Sequence, residues 1–495
     1  MCSGRKKNFI PKQLRYILKI CIIKSMDMIN YSCIFAVFLY LFLGAFLLYK
    51  RFSLGYVGKG FLTGSFVAVN LFSFLTFLIC YLSCVFLNNS FVQNFNYFYF
   101  DNLEFNFSLM LNKQNLAFAL YYSGLGLIFS IFLKKYFKLK KEFIFTRQRF
   151  YTFLYFAFFA LFSYLISANI AQAALFWFFI SVLIYYYSHF DLFKSNTDYN
   201  NTRFWRINLV GDFSLLVFVL ILYKAIALSN GYLDFSSLNF ENLNLIFSYC
   251  YGILPVFEFK ILLLSLLIAI ATRLFILPFN CYFSFLTNAS NLFYIICATV
   301  LNTSFGAYLL NKTAEIYSYS INTKYITLIA ILTILTSLFL ILFEKSLKII
   351  FGYFIASINS LFLILYFYNH KIAILAYFAL NLTALISLII FFKKDKISLH
   401  SRLINKQKGF ILEKLNITLF ETIPSKISTI FVFLDEKIFK YIFILLTQII
   451  NFVIKLLIFK VNKIKPLNNS INALILFLIF VVISVIIAIF WGYKC

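Results

Sequence analysis

The chain has 495 residues, of which 63% are apolar or aromatic and only 12% charged. With a mean hydropathy of +0.90, that balance excludes a water-soluble globular fold. The net charge of +27 does not point to nucleic acid, because the basic residues stand in runs such as KKYFKLKK (134 to 141) and FFKKDK (391 to 396) that punctuate apolar segments and suit lipid headgroups.

Residues 1–30 are basic and lack a signal-peptide core with a small-residue cleavage site, so they read as a retained amphipathic segment. Apolar stretches follow at 31–49, 61–87, 115–133, 150–167, 169–188, 207–228, 260–278, 289–311, 325–343, 347–368 and 371–392. Each approaches the roughly 20 residues that cross a hydrocarbon core. No alternating short-strand pattern is read, so helices carry the spans. The polar, aromatic stretch 89–114 reads as an ordered interfacial loop with Tyr and Phe at headgroup level. Beyond Phe392 the chain turns basic and amphipathic over 394–470, with a long lateral-type helix, before a final span in 471–495. The basic N-terminus and the basic run 134–149 lie three spans apart and fall on opposite sides, so orientation stays open. The layout is therefore an all-α polytopic membrane protein of about 13 spans: N-terminal spans over 31–133, a core over 134–393 and a contracted C-terminal region.

Nine cysteines show neither CxxC nor Cys/His ligand spacing, so no metal, cofactor or disulfide is expected, and Cys80 and Cys84 read as small hydrophobes within a span. The heavy use of Phe, Tyr, Ile, Lys and Asn, with little Gly, Pro or Arg, is the bias of an AT-rich, organelle-encoded gene.

Ionisable residues inside spans are few, and each costs about 2.5–3.5 kcal/mol on insertion scales. Asp212 and Arg273 are the deepest, and read as a buried ion pair or as part of an ion path. Glu258 and Lys260 form a pair just before a span, and Lys224 and Lys348 near span ends can snorkel to the interface. Pro278, five residues after Arg273, allows a broken helix beside a polar site or a plain kink. His189 and His370, far apart near span ends, do not make a relay.

Four blocks then resemble subunit 5 of NADH:ubiquinone oxidoreductase, respiratory complex I, in the right order over about 145 to 390. RFYTFLYFAFFALFSYLISANIAQAALFWF keeps the family's Arg149, Phe150, Leu154, Asn169, Gln172 and Trp177. RFWRINLVGDFSLL keeps the signature Asn208, Gly211, Asp212, Phe213. In the third block Arg273 stands at the family's lysine and Pro278 at its proline, in register to Gly306, Tyr308, Leu309 and Leu310. A weaker fourth block resembles the family through Lys348, Tyr353 and Ser357, with Asn359 for its glutamine.

The resemblance implies an antiporter-like subunit with inverted five-helix repeats, set in the membrane arm of a mitochondrial respiratory complex or supercomplex and involved in proton translocation. Implied partners are other membrane subunits and phospholipids, cardiolipin at the basic loops among them; nucleic acid is not one. The chain would be a component of NADH:ubiquinone oxidoreductase in the inner membrane with no catalytic chemistry of its own. The family's midplane glutamate, aspartate and histidine fall here on Phe178, Ala168 and Ala298. Arginine at 273 holds charge but does not release a proton at accessible pH. Two readings follow: a pumping subunit that uses Asp212, Arg273, Glu258, Lys260 or Lys348 with water, and a non-pumping structural subunit that keeps the fold.

Overall fold

A computed structural model gives the fold; it describes residues 12 to 394 except 54, 56, 88–90, 101–102, 140–143, 191–197, 229–237, 241, 282–289, 314–315, 318–322, 345 and 369. The chain divides into two compact units, Met1–Ile404 and Asn405–Cys495. The second unit, with the lateral-type helix and final span expected near the C-terminus, lies outside the described residues.

The described helices are α1 (Lys12–Phe52), α2 (Lys59–Leu87), α3 (Lys113–Leu139), α4 (Ile144–Leu165), α5 (Ile170–Phe190), α6 (Asp198–Leu228), α7 (Leu243–Ile253) and α8 (Val256–Leu274). They continue with α9 (Asn291–Ile296), a π turn (Cys297–Leu301), α10 (Asn302–Thr313), α11 (Thr323–Phe343), α12 (Leu347–Tyr368) and α13 (His370–Lys394). Ten of the eleven apolar stretches fall mainly on a single helix, and 289–311 runs over α9, the π turn and α10. Nine segments among the described residues are long and apolar enough to cross a membrane, against the thirteen or so expected for the whole chain. The helices α4 and α8 are not among the nine; both carry arginine, and α8 has Glu258 and Lys260 as well.

The segment Leu292–Thr313 runs wholly inside the bundle, whereas in α11 and α13 about a third of the residues or fewer are buried. This contrast is the signature of a bundle whose outer face meets lipid: exposed Leu332, Leu335, Leu338 and Phe339 on α11 face outward, where apolar surface carries no cost in hydrocarbon.

The stretch expected as an interfacial loop is instead a β-hairpin, β1 (Phe91–Phe100) against β2 (Leu103–Leu111), antiparallel from Phe91–Leu111 to Phe100–Leu103 with a bulge between Asn96 and Phe98. The physical reason is an alternation that the helix reading passes over: Leu103, Phe105, Phe107, Leu109 and Leu111 alternate with Glu104, Asn106, Ser108 and Met110. The end of β2 completes the break between α4 and α5. Met110 N–H donates to Ile166 O at 2.8 Å, Ala168 N–H to Ser108 O at 3.0 Å, and Phe240 N–H to Ala168 O at 2.8 Å. Backbone groups that leave the helical ladder at 166–169 are thereby satisfied, as burial requires.

Pro278 does not kink a continuing helix. Helix α8 ends before it, at Leu274, with Phe275 in the left-handed region (φ 59°) and Ile276 N–H donating to Ala271 O at 3.0 Å. That is a left-handed helix cap with phenylalanine where glycine is usual. The loosened end is tied to its neighbours: Asn359 Nδ2 donates to Leu274 O at 2.9 Å and Leu277 N–H donates to Thr333 Oγ1 at 3.1 Å.

Candidate functional site

Where α5, α6, α8 and α10 meet, one cluster brings together the buried charges Asp212 and Arg273. Two close approaches bring the helices together. A Cβ on Gly211 of α6 would stand 2.1 Å from Thr272 Oγ1, and one on Gly306 of α10 would stand 2.8 Å from Leu274 Cγ and 3.0 Å from Arg273 Cβ. Glycine at both positions lets the flanking helices reach α8 at near-backbone distance.

At this crossing Arg273 Nη2 lies 3.1 Å from Asp212 Oδ1, with side-chain exposures of 1% and 7%. Asp212 Oδ1 also accepts from Trp177 Nε1 at 2.8 Å and from Ser181 Oγ at 2.9 Å. The guanidinium donates through Nη1 to Asn302 Oδ1 at 2.7 Å and through Nη2 to Ser181 Oγ and, at 3.4 Å, to Trp177 O. Its carbon sits 4.7 Å from the centroid of Trp177 and 5.9 Å from that of Phe305. Tyr164 stacks on Phe305 at 4.3 Å and donates to Phe305 O at 3.0 Å. An ion pair this far from water is tolerable only with several partners; of the three guanidinium nitrogens only Nε lacks one.

The π turn supplies one of them. Asn302 donates both its backbone N–H and, at 3.1 Å, its Nδ2 to Cys297 O, which widens the helix by one residue and aims Oδ1 at Arg273. Near it further buried side chains form hydrogen bonds. Asn381 Nδ2 donates to Thr299 O at 3.0 Å, Tyr377 OH to Thr303 O at 3.3 Å, and the hydroxyls of Tyr377 and Tyr122 lie 3.3 Å apart. These are hydroxyls and amides, and none exchanges a proton readily near neutral pH.

Of the charged residues singled out in the sequence, Asp212 meets Arg273 deep in the bundle, and Glu258 meets Lys224 near its edge. Glu258 is not paired with Lys260, two residues along its own helix, but with Lys224 of α6 at 2.7 Å; residues two apart on a helix face different ways. That bridge is half-exposed and sits fifteen residues from Arg273 along α8, about 22 Å away. Lys260 is exposed on the same helix. Lys348, half-buried at the start of α12, accepts through its backbone oxygen from Tyr294 OH. His370 is exposed, and the His189 side chain lies outside the described residues. Phe178 is half-buried beside Trp177, while Ala168 and Ala298 are buried in the α4–α5 break and the π turn. Ser181 and Asn302 went unnoticed as site residues. Ser181 carried a signal, standing four residues after Trp177 and so on the same helical face.

No family model matches the chain. NADH-quinone oxidoreductase subunit L of Buchnera aphidicola subsp. Baizongia pistaciae is 24% identical over 288 residues, 58% of this chain and 43% of the relative, so the chain spans less than half of that relative's length. A chain of the archaeal membrane-bound sulfane sulfur reductase, a respiratory membrane complex, superposes with a TM-score of 0.57 at 10% identity, over 72% of this chain and 70% of that one. A chain of the Mrp complex from a Dietzia species does so with a TM-score of 0.58 at 11% identity, over 73% and 37%. In sequence the chain is similar to subunit L of NADH-quinone oxidoreductase, and it shares its multi-pass membrane fold with chains of these two complexes.

Proposed function

We propose that the chain is a membrane subunit of a complex I-type respiratory assembly or supercomplex in the mitochondrial inner membrane, organelle-encoded, and that it holds structure instead of relaying protons. Its partners in this reading are other membrane subunits and anionic phospholipids, cardiolipin at the basic loops among them. The spans over 31–133 and the core over 134–393 form its frame. Support comes from the relationship to subunit L and from a fold shared with a respiratory membrane complex.

The observation that carries the structural role is the closed state of the charge pair. A relay group must pick up and release a proton in turn, and arginine keeps its own. Here Arg273 is held by Asp212, Ser181 and Asn302 at once. A second reading, in which the chain still moves protons, is favoured by Asn208. It is buried one turn before Asp212, and neither polar atom of its amide bonds to protein; such a group suits a bound water. Glu258, Lys260 and Lys348 would then serve as entry or exit groups.

The test is Asp212→Asn in the assembled complex, with proton transport per electron and the amount of assembled complex measured together. Unchanged coupling with less complex supports the structural role. Lost coupling in fully assembled complex overturns it, and loss of coupling in Asn208→Leu as well would establish the second reading.

A further inference from the structure

At one end of the bundle the last turn of α1, the first turns of α4 and the last turns of α5 enclose a cavity of ≈ 310 Å³. Its lining carries two guanidiniums, Arg51 and Arg149, and no carboxylate among the described residues. We infer that this cavity is a binding site for one anionic phospholipid, with the phosphodiester on Arg51 and Arg149 and an acyl chain along Phe156, Phe179 and Leu183. The inference needs only the membrane-spanning fold, not the respiratory reading.

The wall is graded as a lipid is graded. Both arginines lie at helix ends, with Tyr186 and Tyr187 beside them on α5, the place where arginine and tyrosine meet headgroups. Phe156 follows Arg149 by seven residues and Phe179 precedes Tyr186 by seven, so both rings lie about 10 Å deeper along their helices. The groove opens outward: Tyr186 is 56% exposed and Phe52 78%. A small hydrophilic anion would satisfy the guanidiniums but leave this apolar extension empty of partners, whereas a phospholipid fills both ends.

The charges are held in place from both sides. Gln148 Nε2 donates to Leu47 O at 3.1 Å and pins the start of α4 to the end of α1. Arg147, two residues before Arg149, turns away to lie 5.1 Å from the centroid of Phe137 on α3. Arg149 is thus the α4 arginine that faces the cavity, opposite Arg51.

Native mass spectrometry of the full-length chain in detergent, titrated with phosphatidylglycerol or with phosphatidylcholine of the same acyl chains, tests the assignment. We expect phosphatidylglycerol to be retained at least tenfold better, and the double variant Arg51→Gln/Arg149→Gln to lose that preference while Arg206→Gln, on the exposed face of α6, keeps it. An unchanged preference in the double variant overturns the site. Displacement by inorganic phosphate without any dependence on acyl-chain length overturns the lipid in favour of a free anion. Should the double variant not fold, a phosphatidylglycerol with a photoreactive acyl chain bound to the unaltered protein gives the answer. Labels on the Phe156, Phe179 or Leu183 peptides support the site, and labels confined elsewhere overturn it.

Discussion

Arg273 and Asp212, sixty-one residues apart in sequence, face each other across the α6–α8 crossing with Nη2 and Oδ1 3.1 Å apart and almost no exposed surface between them. From this one contact the guanidinium reaches α5 through Ser181 and Trp177 and the π turn through Asn302. The pair is therefore less a charged surface waiting for a proton than a polar rivet through four helices. Its cost in desolvation is offset by the number of partners, so removing one of them leaves the others stranded.

Asp212→Asn should be strongly destabilising, because the amide keeps the shape but leaves the buried guanidinium uncompensated, a loss of about 3–5 kcal/mol. The double variant Asp212→Leu/Arg273→Met should recover most of that loss, since an apolar pair of similar volume often equals a buried ion pair. Thermal unfolding midpoints of both variants in one detergent decide the matter. A double variant no better than the single would mean that the pair's surroundings, not its charge balance, set stability.

Arg273→Lys restores the residue type that the resemblance leads one to expect. A single ammonium cannot serve both Asn302 Oδ1 and the Ser181–Asp212 side, which the two Nη atoms reach in different directions. The expected loss is about 1.5–3 kcal/mol, one charge-assisted hydrogen bond. Pairing Arg273→Lys with Asn302→Leu should add little beyond the single change if Asn302 is the contact given up, and a double-mutant cycle on unfolding midpoints measures that coupling.

Much of this frame was legible beforehand. Ten of the eleven apolar runs fall mainly on a single helix, and the Trp177, Gly211–Asp212 and Arg273 blocks, far apart in sequence, converge on one cluster. What escaped was local and non-periodic. The hairpin at 91–111 hid its alternation behind aromatic residues that suit an interface equally well. The Glu258–Lys224 bridge depends on how α6 and α8 pack, which no spacing within one helix reveals. Asn302 acts through a π turn, and the apolar run around it, Cys297 to Leu301, gives no sign of where a helix widens.

Gly211→Ala should destabilise the α6–α8 crossing by about 1–3 kcal/mol, the range for overpacking a well-filled contact. The new Cβ would meet Thr272 Oγ1 at 2.1 Å and Thr272 Cβ at 3.0 Å. Adding Thr272→Ala removes the first clash and not the second, so it should restore part of the loss and not all. Full rescue, or none, in the unfolding midpoint would show that the helices yield in some other way.

Trp177 makes two separable contributions to the pair: its indole N–H donates to Asp212 at 2.8 Å, and its ring face lies 4.7 Å from the Arg273 guanidinium carbon. Trp177→Phe keeps a face for the cation and removes the donor, leaving Asp212 with Ser181 and Arg273; the expected loss is about 1.5–3 kcal/mol, one hydrogen bond to a charged group. Trp177→Leu removes both, and a desolvated cation–π contact adds about 2 kcal/mol more. The order of unfolding midpoints, native above Trp177→Phe above Trp177→Leu, follows from the geometry. Against an Asp212→Leu/Arg273→Met background both contributions vanish, and the two tryptophan variants should then differ only by the volume they leave unfilled. A persistent gap between them of the original size would mean that the ring supports the fold through Tyr164 and Phe305, whose rings lie 6.2 Å and 5.9 Å from it, and not through the charge.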